Sequence, residues 1–590
     1  MPLSRDGGGN VQYTYIAYSL DDAGRTTNVD NPAPEVDSTL AYDDDGRIAS
    51  ASGPDGSSTW TRDLAGRTTR LVQPGGTLDY AYDAAGRLDT LAQAGRGTFD
   101  WDYDAYGRVA SLTDPEGKVT GLEYDTAGRP WRRTLGNGLR EERSWDARGR
   151  LSAFALKTSG GSSLRSESWG YSARSDVLSH TVGSVETLYA YDDEGQLLAE
   201  GRPGYATSYT YDGNGNRKTR TVNSVLEEYA YDSGDKLASV VSGGNARTFT
   251  YDLAGRMLTD SLGSRSFAWT ADSRLASVSS SAGSEGYTYN PFGTRAKVGT
   301  RTFLRAGAGV TAGVLVDGNA DYTPGISEVR SGTTTYSHSG LKHMAAQSGQ
   351  SGSVAASREY DAFGGTTGSS GSWQGTFGSG GEFGYEEDAS ALTYIGERHY
   401  DPSTGRFLSR DPVGWGTNWY AYCENDPVAF YDYQGEHPDR ITGFTIHGWQ
   451  SAWSHDGVGV KSEAMVDTIR NGKMRPRPNG TYRFDGPRSV VVLNQDGKVV
   501  TTWAKTRDAW RHQVRMYPQE PRVPGKALIP GGGQGSSGGA MGFFSAIVLG
   551  LDGFQSGFRE VFFYRLRVAA HIRAIDEDKG EADRWEGVEG

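Results

Sequence analysis

Hydrophobic and polar residues alternate along much of the first 300 positions of the chain. An apolar or aromatic residue occupies every second position before each turn signal, as in Leu78, Tyr80 and Tyr82. The same alternation recurs over Phe99–Tyr103. Because successive side chains of a β-strand point to opposite faces, this period of two predicts strands with one aromatic face.

A short motif, Tyr-Asp-x-x-Gly-Arg followed by an aliphatic residue, stands between successive strands. The motif and its looser copies place glycines at a period of 20 or 21 residues: Gly46, Gly66, Gly86, Gly107, Gly128 and Gly149. In each copy the aspartate can close an Asx turn on its own backbone, and the glycine can take the positive φ that reverses the chain. The motif therefore predicts a turn at each repeat glycine and a long antiparallel sheet wound on itself.

The repeat fades between about residues 300 and 390, where the chain becomes rich in glycine, serine and threonine. A flexible linker is one interpretation of this composition. However, Tyr360–Gly364 keeps the turn of the repeat inside this region. The sequence therefore favours irregular shell strands joined by long loops.

Composition indicates a packed β-protein without covalent cross-links. Among 590 residues there are 83 Gly, 14 Trp, 33 Tyr and 19 Phe, but the single cysteine, Cys423, excludes an intramolecular disulfide. This is typical of proteins that fold in a reducing compartment. The first nine residues lack the basic and apolar regions of a signal peptide. We therefore expect synthesis in the cytoplasm and export through a specialised secretion system.

Charge is distributed unevenly along the chain. Residues 1–436 carry 39 Lys and Arg against 56 Asp and Glu, whereas residues 437–590 carry 21 against 17. Within residues 461–526 the numbers are 14 basic and 6 acidic, a balance of +8. This change of sign predicts two functional bodies with different partners, although ordinary surface variation is the alternative.

The Tyr-Asp-x-x-Gly-Arg repeat resembles the YD repeats of Rhs proteins, insecticidal toxin-complex subunits and teneurins, over about residues 10 to 300. This resemblance implies a mostly β chain: a YD-repeat β-spiral cocoon that encloses a cargo, followed by a small α+β C-terminal toxin domain. The expected divisions are a shell at 1–300, the end of the Rhs core at 301–436, the toxin module at 437–530, and a Gly-rich linker with a hydrophobic helical tail at 531–590.

Residues 394–414 are similar to the segment that ends the Rhs core, and the similarity continues through Asn418, Tyr420, Tyr422, Asn425, Pro427 and Gly435. In that family the segment plugs the shell, and two aspartates in it cut the chain just downstream. The matching positions here are Asp411 and Asp432. Two carboxyl groups held close together cannot both ionise easily, so one can act as acid while the other activates water. The second motif reads Asp-Tyr-Gln-Gly-Glu in place of Asp-Pro-x-Gly-Leu, and the alternative role of both aspartates is to form Asx turns.

The basic module shows helical spacing first and strand patterns later. Ile446, Trp449 and Trp453 share one helical stripe, and Ser462 begins a second short helix. A basic loop follows at Lys473–Arg477, and two Val-rich runs flank a turn at 494–497, which predicts a hairpin. This α-α-β-β order loosely resembles the small RNase toxins of the barnase, EndoU, colicin and RelE group.

That resemblance implies metal-independent cleavage of RNA, with no cofactor. Such a reaction needs a base for the 2′-hydroxyl, a cation for the developing charge, and a donor that positions the phosphate. The candidates for these roles are His447, with His455 as the rival base, Arg483 and Thr501. The candidates for RNA binding are Lys473, Arg475, Arg477, Tyr482 and Trp503. The alternative for His447 is an ordinary histidine beside an apolar helix.

Three functions remain open from the sequence. The first is a shell-enclosed toxin against competing cells, with RNA as substrate, an immunity protein as antagonist, and a secretion-system component or shell-completing chain as partner. The second is a membrane-disrupting toxin that acts through the apolar stretch within 541–575, whose 11-residue core at 541–551 is too short to span a bilayer as a helix. The third is a non-enzymatic carrier or cell-surface shell.

Overall fold

The computed structural model describes residues 2–5, 11–13, 15–281, 283–414, 417–432 and 434–436. Beyond these it describes segments 459–460, 473–476, 482–487, 489–493, 499–504 and 510–511. Within this described part, three short 3-10 turns accompany the strands: Leu262–Ser264, Gly381–Phe383 and Cys423–Asn425. The predicted mostly β fold is confirmed.

A continuous antiparallel meander of strands β3 to β31 forms the first and largest part of the molecule, and each strand pairs with the next one in the chain. A separate pair, β1 (Pro2–Arg5) and β2 (Val11–Tyr13), precedes it. The strands of the meander are β3 (Ala17–Leu20), β4 (Thr26–Asp30), β5 (Ser38–Tyr42), β6 (Ile48–Gly53), β7 (Gly56–Arg62), β8 (Thr68–Gln73), β9 (Gly76–Tyr82), β10 (Leu88–Gln93), β11 (Gly97–Tyr103), β12 (Val109–Thr113), β13 (Val119–Tyr124), β14 (Pro130–Thr134), β15 (Arg140–Trp145), β16 (Leu151–Lys157), β17 (Ser163–Tyr171), β18 (Val177–Val182), β19 (Val185–Tyr191), β20 (Leu197–Arg202), β21 (Tyr205–Tyr211), β22 (Arg217–Val222), β23 (Val225–Tyr231), β24 (Leu237–Ser242), β25 (Asn245–Tyr251), β26 (Met257–Asp260), β27 (Arg265–Trp269), β28 (Leu275–Ser280), β29 (Gly283–Tyr289), β30 (Arg295–Val298) and β31 (Arg301–Thr302).

The meander winds around until its late strands reach its early ones. The backbone N–H of Ala271 donates to Glu35 Oε1 at 2.6 Å. The rings of Trp60 and Phe292 meet edge to face with centroids 5.8 Å apart. These contacts join distant repeats through side chains, so the sheet is wound on itself as the repeat predicts.

Most repeat turns are closed by their own aspartate, as Asp125 illustrates, and Ser172, Thr270 and Asn290 take the same place in three others. Its Oδ1 accepts the backbone N–H groups of Ala127 and Arg129, both at 2.9 Å, and its Oδ2 accepts Arg129 Nε at 2.7 Å. Gly128 has φ of +78° and donates its N–H to Asp125 O at 2.9 Å. Partial burial opposes ionisation of Asp125, but the hydrogen bonds from Arg129 outweigh it and hold the pKa of this carboxyl below its usual value. The predicted Asx turn is confirmed.

A second contact joins each turn to the next repeat. The guanidinium of Arg108 lies 4.2 Å from the ring centroid of Tyr124, and Arg87 lies 4.1 Å from that of Tyr103. The hydroxyl of Tyr124 donates to Val109 O at 2.8 Å. The arginine that closes one turn therefore also stacks on the tyrosine of the following repeat.

An antiparallel sheet of eight strands follows the meander and packs against its inner, aromatic face. Its strands are β32 (Leu304–Arg305), β33 (Val314–Val316), β34 (Asp321–Thr323), β35 (Ser327–Arg330), β36 (Thr333–Ser339), β37 (Met344–Ser348), β38 (Val354–Tyr360) and β39 (Thr366–Gly371). Leu315, Ile326 and Tyr336 share one buried cluster with Leu78 and Phe99 of the repeats. This region therefore forms shell strands in place of a flexible linker, and several of them are irregular: β32 to β34 have two or three residues, and register shifts interrupt four of the strand pairs.

A smaller sheet of four strands follows the eight-stranded sheet. It consists of β40 (Glu386–Glu387), β41 (Thr393–Ile395), β42 (Arg398–Asp401) and β43 (Arg406–Phe407). Buried ion pairs fix it to the repeat strands: Arg295 to Glu386 at 2.8 Å and Arg274 to Glu397 at 2.8 Å. The small sheet is therefore attached to the meander through charge as well as through apolar packing.

Further strands belong to the C-terminal module. They are β44 (Gly459–Val460), β45 (Lys473–Pro476), β46 (Tyr482–Asp485), β47 (Ser489–Leu493), β48 (Val499–Ala504) and β49 (Trp510–Arg511). The predicted hairpin is present as the β47–β48 pair. Lys473–Pro476 forms a strand where a basic loop was expected, because it pairs antiparallel with β46. The predicted helices lie outside the described residues.

The first prediction tests the turn aspartate. Asp125→Ala removes three hydrogen bonds and should lower the free energy of unfolding by about 1 to 2 kcal/mol. Asp125→Asn keeps an oxygen for the two backbone N–H groups and should cost less. Calorimetric melting of the full chain measures both, with exposed Asp44→Ala as the control.

The pH dependence of these variants adds a second check. Because the folded pKa of Asp125 is depressed, the stabilisation it provides is present above the unfolded pKa of about 3.9 and is lost as the pH falls through the folded value. The difference between wild type and Asp125→Asn should therefore shrink below about pH 4. An unchanged difference there would contradict the role assigned to the ionised carboxylate.

Candidate functional site

The two sequence-predicted aspartates of the core lie in turns after the small sheet. Asp411 follows β43, donates its N–H to Trp419 O at 3.0 Å, and accepts the N–H of Val413 on Oδ1 at 2.8 Å. Asp432 accepts the N–H groups of Gly435 and Glu436 on Oδ1 at 2.8 and 3.0 Å. Both aspartates thus have the Asx-turn geometry considered from the sequence. In each, Oδ1 closes the turn and Oδ2 takes no part in it.

One guanidinium brings the two carboxylates together. Nη2 of Arg398, on β42, lies 3.3 Å from Asp411 Oδ2 and 3.2 Å from Asp432 Oδ2. Arg398 and Asp432 are 4% and 1% exposed, and Asp411 is 8% exposed. The ring of Phe407 covers the guanidinium, with its centroid 3.6 Å from Cζ. The site is therefore a buried cluster of one cation and two acidic groups.

The cluster grips one peptide group of its own chain. Nε of Arg398 donates a short hydrogen bond to the carbonyl oxygen of Gly435. The N–H of the same peptide unit, on Glu436, donates to Asp432 Oδ1. The Gly435–Glu436 peptide group is therefore polarised at its oxygen by a cation and contacted at its nitrogen by a carboxylate.

Close backbone packing holds this peptide group in place. Glu397 N–H donates to Gln434 O at 2.8 Å. Gly435 has φ of +74°, and a Cβ on it would lie 2.2 Å from Ile395 O. A side chain at this position would therefore force the segment away from β41 and β42.

Sequence reasoning identified the aspartates but missed Arg398. Arg398 lies within residues 394–414, two residues after Gly396. Its separation from Asp432 is 34 residues, and no periodicity connects the two. The available signal was the alternation of β42, which places Arg398 and Tyr400 on the same side of the strand.

In the C-terminal module, strand register groups three of the predicted positions. Arg475 pairs with Arg483 on the neighbouring strand, Arg483 pairs with Val492, and Val492 pairs with Thr501. Directly paired positions share a face of a sheet, so 475, 483 and 501 lie in one cross-strand row. Arg483 is half-buried and binds Asp485 Oδ2 through Nε and Nη2 at 3.0 and 2.8 Å.

Of the other candidate residues, the structure describes three and leaves three outside the described residues. Lys473 is exposed on β45, Tyr482 lies on β46 and Trp503 on β48. Register puts position 482 on the face opposite to position 483. His447, His455 and Arg477 lie outside the described residues.

The described part of the chain contains neither a metal-binding cluster nor a membrane-spanning helix. It holds no group of three or more His, Cys, Asp or Glu side chains that could bind a metal ion. In the same part, no helix has the length and apolar character needed to cross a membrane. The apolar stretch within 541–575 lies outside the described residues.

Two family models match the meander. One, described as RHS Repeat, matches residues 42–78 and 103–140, and the other, described as Teneurin YD-shell, matches residues 135–293. A solved structure of TcdB2-TccC3-Cdc42 superposes with a TM-score of 0.55 at 18% identity, over 72% of this chain and 26% of that chain. At this level of identity the superposition shows a shared fold.

Two curated bacterial proteins are similar to parts of the chain. The tRNA nuclease WapA of Bacillus subtilis (strain 168) is 26% identical over 234 residues, which is 29% of this chain and 10% of that protein. Toxin subunit YenC1 of Yersinia entomophaga is 36% identical over 92 residues, which is 14% of this chain and 9% of that subunit. The chain thus spans a tenth or less of the length of these relatives.

The second prediction concerns the shared cation. Arg398→Gln leaves two buried carboxylates without their common partner and should destabilise the core by about 3 to 5 kcal/mol at neutral pH. Calorimetric melting of the full chain at neutral pH measures this effect.

Two variants control that measurement. Adding Asp411→Asn to Arg398→Gln should recover part of the stability at neutral pH, because it removes one of the two charges. Arg410→Gln changes an adjacent arginine outside the cluster and should cost less than Arg398→Gln. Equal melting of wild type and Arg398→Gln would show that the cluster does not hold the segment.

Proposed function

Because the chain belongs to the Rhs/YD-repeat toxin-like proteins, we propose that it is a toxin whose shell cuts its own chain and so frees a C-terminal effector. In this proposal the meander and the inner sheets form the shell, the small sheet with its cluster forms the cutting site, and residues 437–590 form the effector. The cognate immunity protein, the export machinery and any shell-completing chain are further parts of the same proposal.

The observation that carries the self-cutting step is the contact of Arg398 and Asp432 with the Gly435–Glu436 peptide group, with Asp411 bound to the same guanidinium. The N–H of Arg398 that binds Gly435 O can stabilise negative charge on that oxygen when water adds to the carbonyl carbon. One carboxyl group acts as the base for the water and the other donates a proton to the leaving nitrogen. We assign the acid to Asp432, because its carboxyl group lies beside the nitrogen of Glu436, and the base to Asp411. Since Oδ1 of Asp432 accepts the Glu436 N–H in the observed geometry, this carboxyl group must take up a proton from water before it can give one to the leaving nitrogen.

The third prediction concerns cleavage. Purified wild-type protein should separate into two polypeptides. Cleavage of the Gly435–Glu436 bond gives an N-terminal fragment that ends at Gly435, and intact mass measures this. Asp411→Asn and Asp432→Asn should each leave one polypeptide, because the pair loses its base or its acid. Asp317→Asn changes a buried aspartate of the inner sheet and should leave cleavage unchanged.

The pattern of fragments separates the possible outcomes. A single wild-type band after long incubation at several pH values would rule out self-cleavage. Two bands in both aspartate variants would assign the cut to a contaminating protease.

For the effector we propose metal-independent cleavage of RNA in competing bacteria. The support is the charge of +8 within residues 461–526 and the row of positions 475, 483 and 501 on one face of the C-terminal sheet. The proposed roles are base for His447, with His455 as rival, cation for Arg483 and phosphate positioning for Thr501. The proposed RNA contacts are Lys473, Arg475, Arg477, Tyr482 and Trp503.

The ion pair with Asp485 qualifies the role of Arg483. A guanidinium whose charge is balanced by a carboxylate attracts a phosphate less strongly than an unpaired one. Arg483 must therefore exchange Asp485 for the phosphate when RNA binds. Asp485→Asn should accordingly tighten RNA binding.

The fourth prediction tests this chemistry on the full chain. His447→Ala should abolish RNA cutting and leave salt-dependent binding nearly intact, because a base acts only in the transition state. Arg483→Ala should weaken both, cutting more than binding, and Thr501→Val should reduce cutting alone. Gel analysis of RNA and binding titrations at several salt concentrations measure these effects.

Controls decide between the three functions. Activity retained in His447→Ala and lost in His455→Ala would transfer the base to His455. Leakage of dye from lipid vesicles without RNA cutting would favour the membrane-disrupting alternative. Absence of both activities would favour a non-enzymatic carrier shell.

A further inference from the structure

One buried tyrosine holds the backbone of Asp432 from both sides. The hydroxyl of Tyr385 donates to Asp432 O at 2.7 Å and accepts Asp432 N–H at 2.8 Å. The hydroxyl of Tyr422 donates to the hydroxyl oxygen of Tyr385 at 3.2 Å. A phenol has one hydrogen and two acceptor sites, so these three bonds use its full capacity and leave it one orientation.

The ring that carries this hydroxyl is itself immobilised. Tyr385 is 3% exposed and packs in a cluster with Ile395, Tyr400 and Phe407 of the small sheet. The next residue, Glu386, accepts hydrogen bonds from two buried arginines of the preceding strands, at 2.8 and 2.7 Å. The hydroxyl is therefore a fixed point relative to the meander.

Other contacts hold the segment before Asp432 without fixing its register in the same way. Lys342 Nζ donates to Pro427 O at 2.6 Å and to Phe430 O at 2.9 Å. Phe383 stacks on Tyr431 with ring centroids 3.9 Å apart. These contacts dock the segment, whereas Tyr385 binds both polar groups of the single residue whose carboxylate enters the cluster.

The position of Asp432 decides which peptide group reaches Arg398. Its Oδ1 binds the N–H groups three and four residues later, so a shift of the backbone at Asp432 carries the Gly435–Glu436 group with it. A displacement of about 1 Å in a reacting group can reduce a rate about a hundredfold. The tyrosine thus acts on the reaction through Asp432 and touches no reacting atom.

We infer that Tyr385 is a positioning residue that sets the register of the chain at the cutting site, and so determines which peptide bond is presented to Arg398 and the two aspartates. The inference rests on the proposed self-cleavage for its consequence, and on the two hydrogen bonds to Asp432 for its geometry. Its effect is selection of the bond as well as rate.

The test compares Tyr385→Phe with Tyr422→Phe in the full chain. Both remove one buried hydroxyl, but only the first removes the bonds to Asp432. Tyr385→Phe should slow cleavage at least about tenfold and yield N-terminal fragments of more than one mass. Tyr422→Phe should cleave at a rate within about threefold of wild type and give a single mass. A wild-type rate with a single wild-type mass in Tyr385→Phe would overturn the inference and leave the self-cleavage proposal intact.

A second measurement does not depend on cleavage. In chains kept whole by Asp411→Asn, hydrogen exchange over residues 427–436 reports how firmly the segment is held. Adding Tyr385→Phe should speed exchange of the Asp432, Gly435 and Glu436 amides at least about tenfold, and adding Tyr422→Phe should not. Unchanged exchange would overturn the inference, whereas faster exchange in a protein that never cuts itself would retain the register role and reject the self-cleavage proposal.

Discussion

The rest of the structure depends on the hydrogen bonds that the aspartate carboxylate of the repeat turn accepts. This carboxylate accepts backbone N–H groups of its own turn and holds the side chain of the turn's arginine, as Asp125 does with Arg129. An arginine held in this way is positioned to stack on the tyrosine of the next repeat. Local closure and contact between repeats therefore come from the same residue, and the long meander follows from repetition of one turn.

Buried charge decides where the later segments lie on this meander. Arg274 and Arg295 of the repeats face carboxylates of the small sheet, and a buried guanidinium without such a partner is strongly destabilising. These pairs therefore specify one docking position. Arg398 reverses the arrangement, because here the small sheet supplies the cation and the following turns supply the carboxylates. The cluster of Arg398, Asp411 and Asp432 is thus built by the same rule that attaches the sheet.

Sequence reasoning reached the features that are local in the chain. Strands, Asx turns and positive-φ glycines follow from a few adjacent residues, and so does the hairpin of β47 and β48. It did not reach Arg398 or Tyr385, which contact Asp432 across 34 and 47 residues and carry no periodic signal. It also expected a loop at Lys473–Pro476, where pairing with β46 overrides the local preference.

Because each repeat stacks on the next, the wall formed by the meander can change its length only by whole repeats. Neighbouring strands are about 4.8 Å apart, so insertion of one two-strand repeat would lengthen the wall by about 10 Å with no new kind of contact. A partial insertion would separate an arginine from its tyrosine. The Trp60 and Phe292 rings meet across this wall, so duplication of one repeat between them would lengthen the wall and separate the two rings.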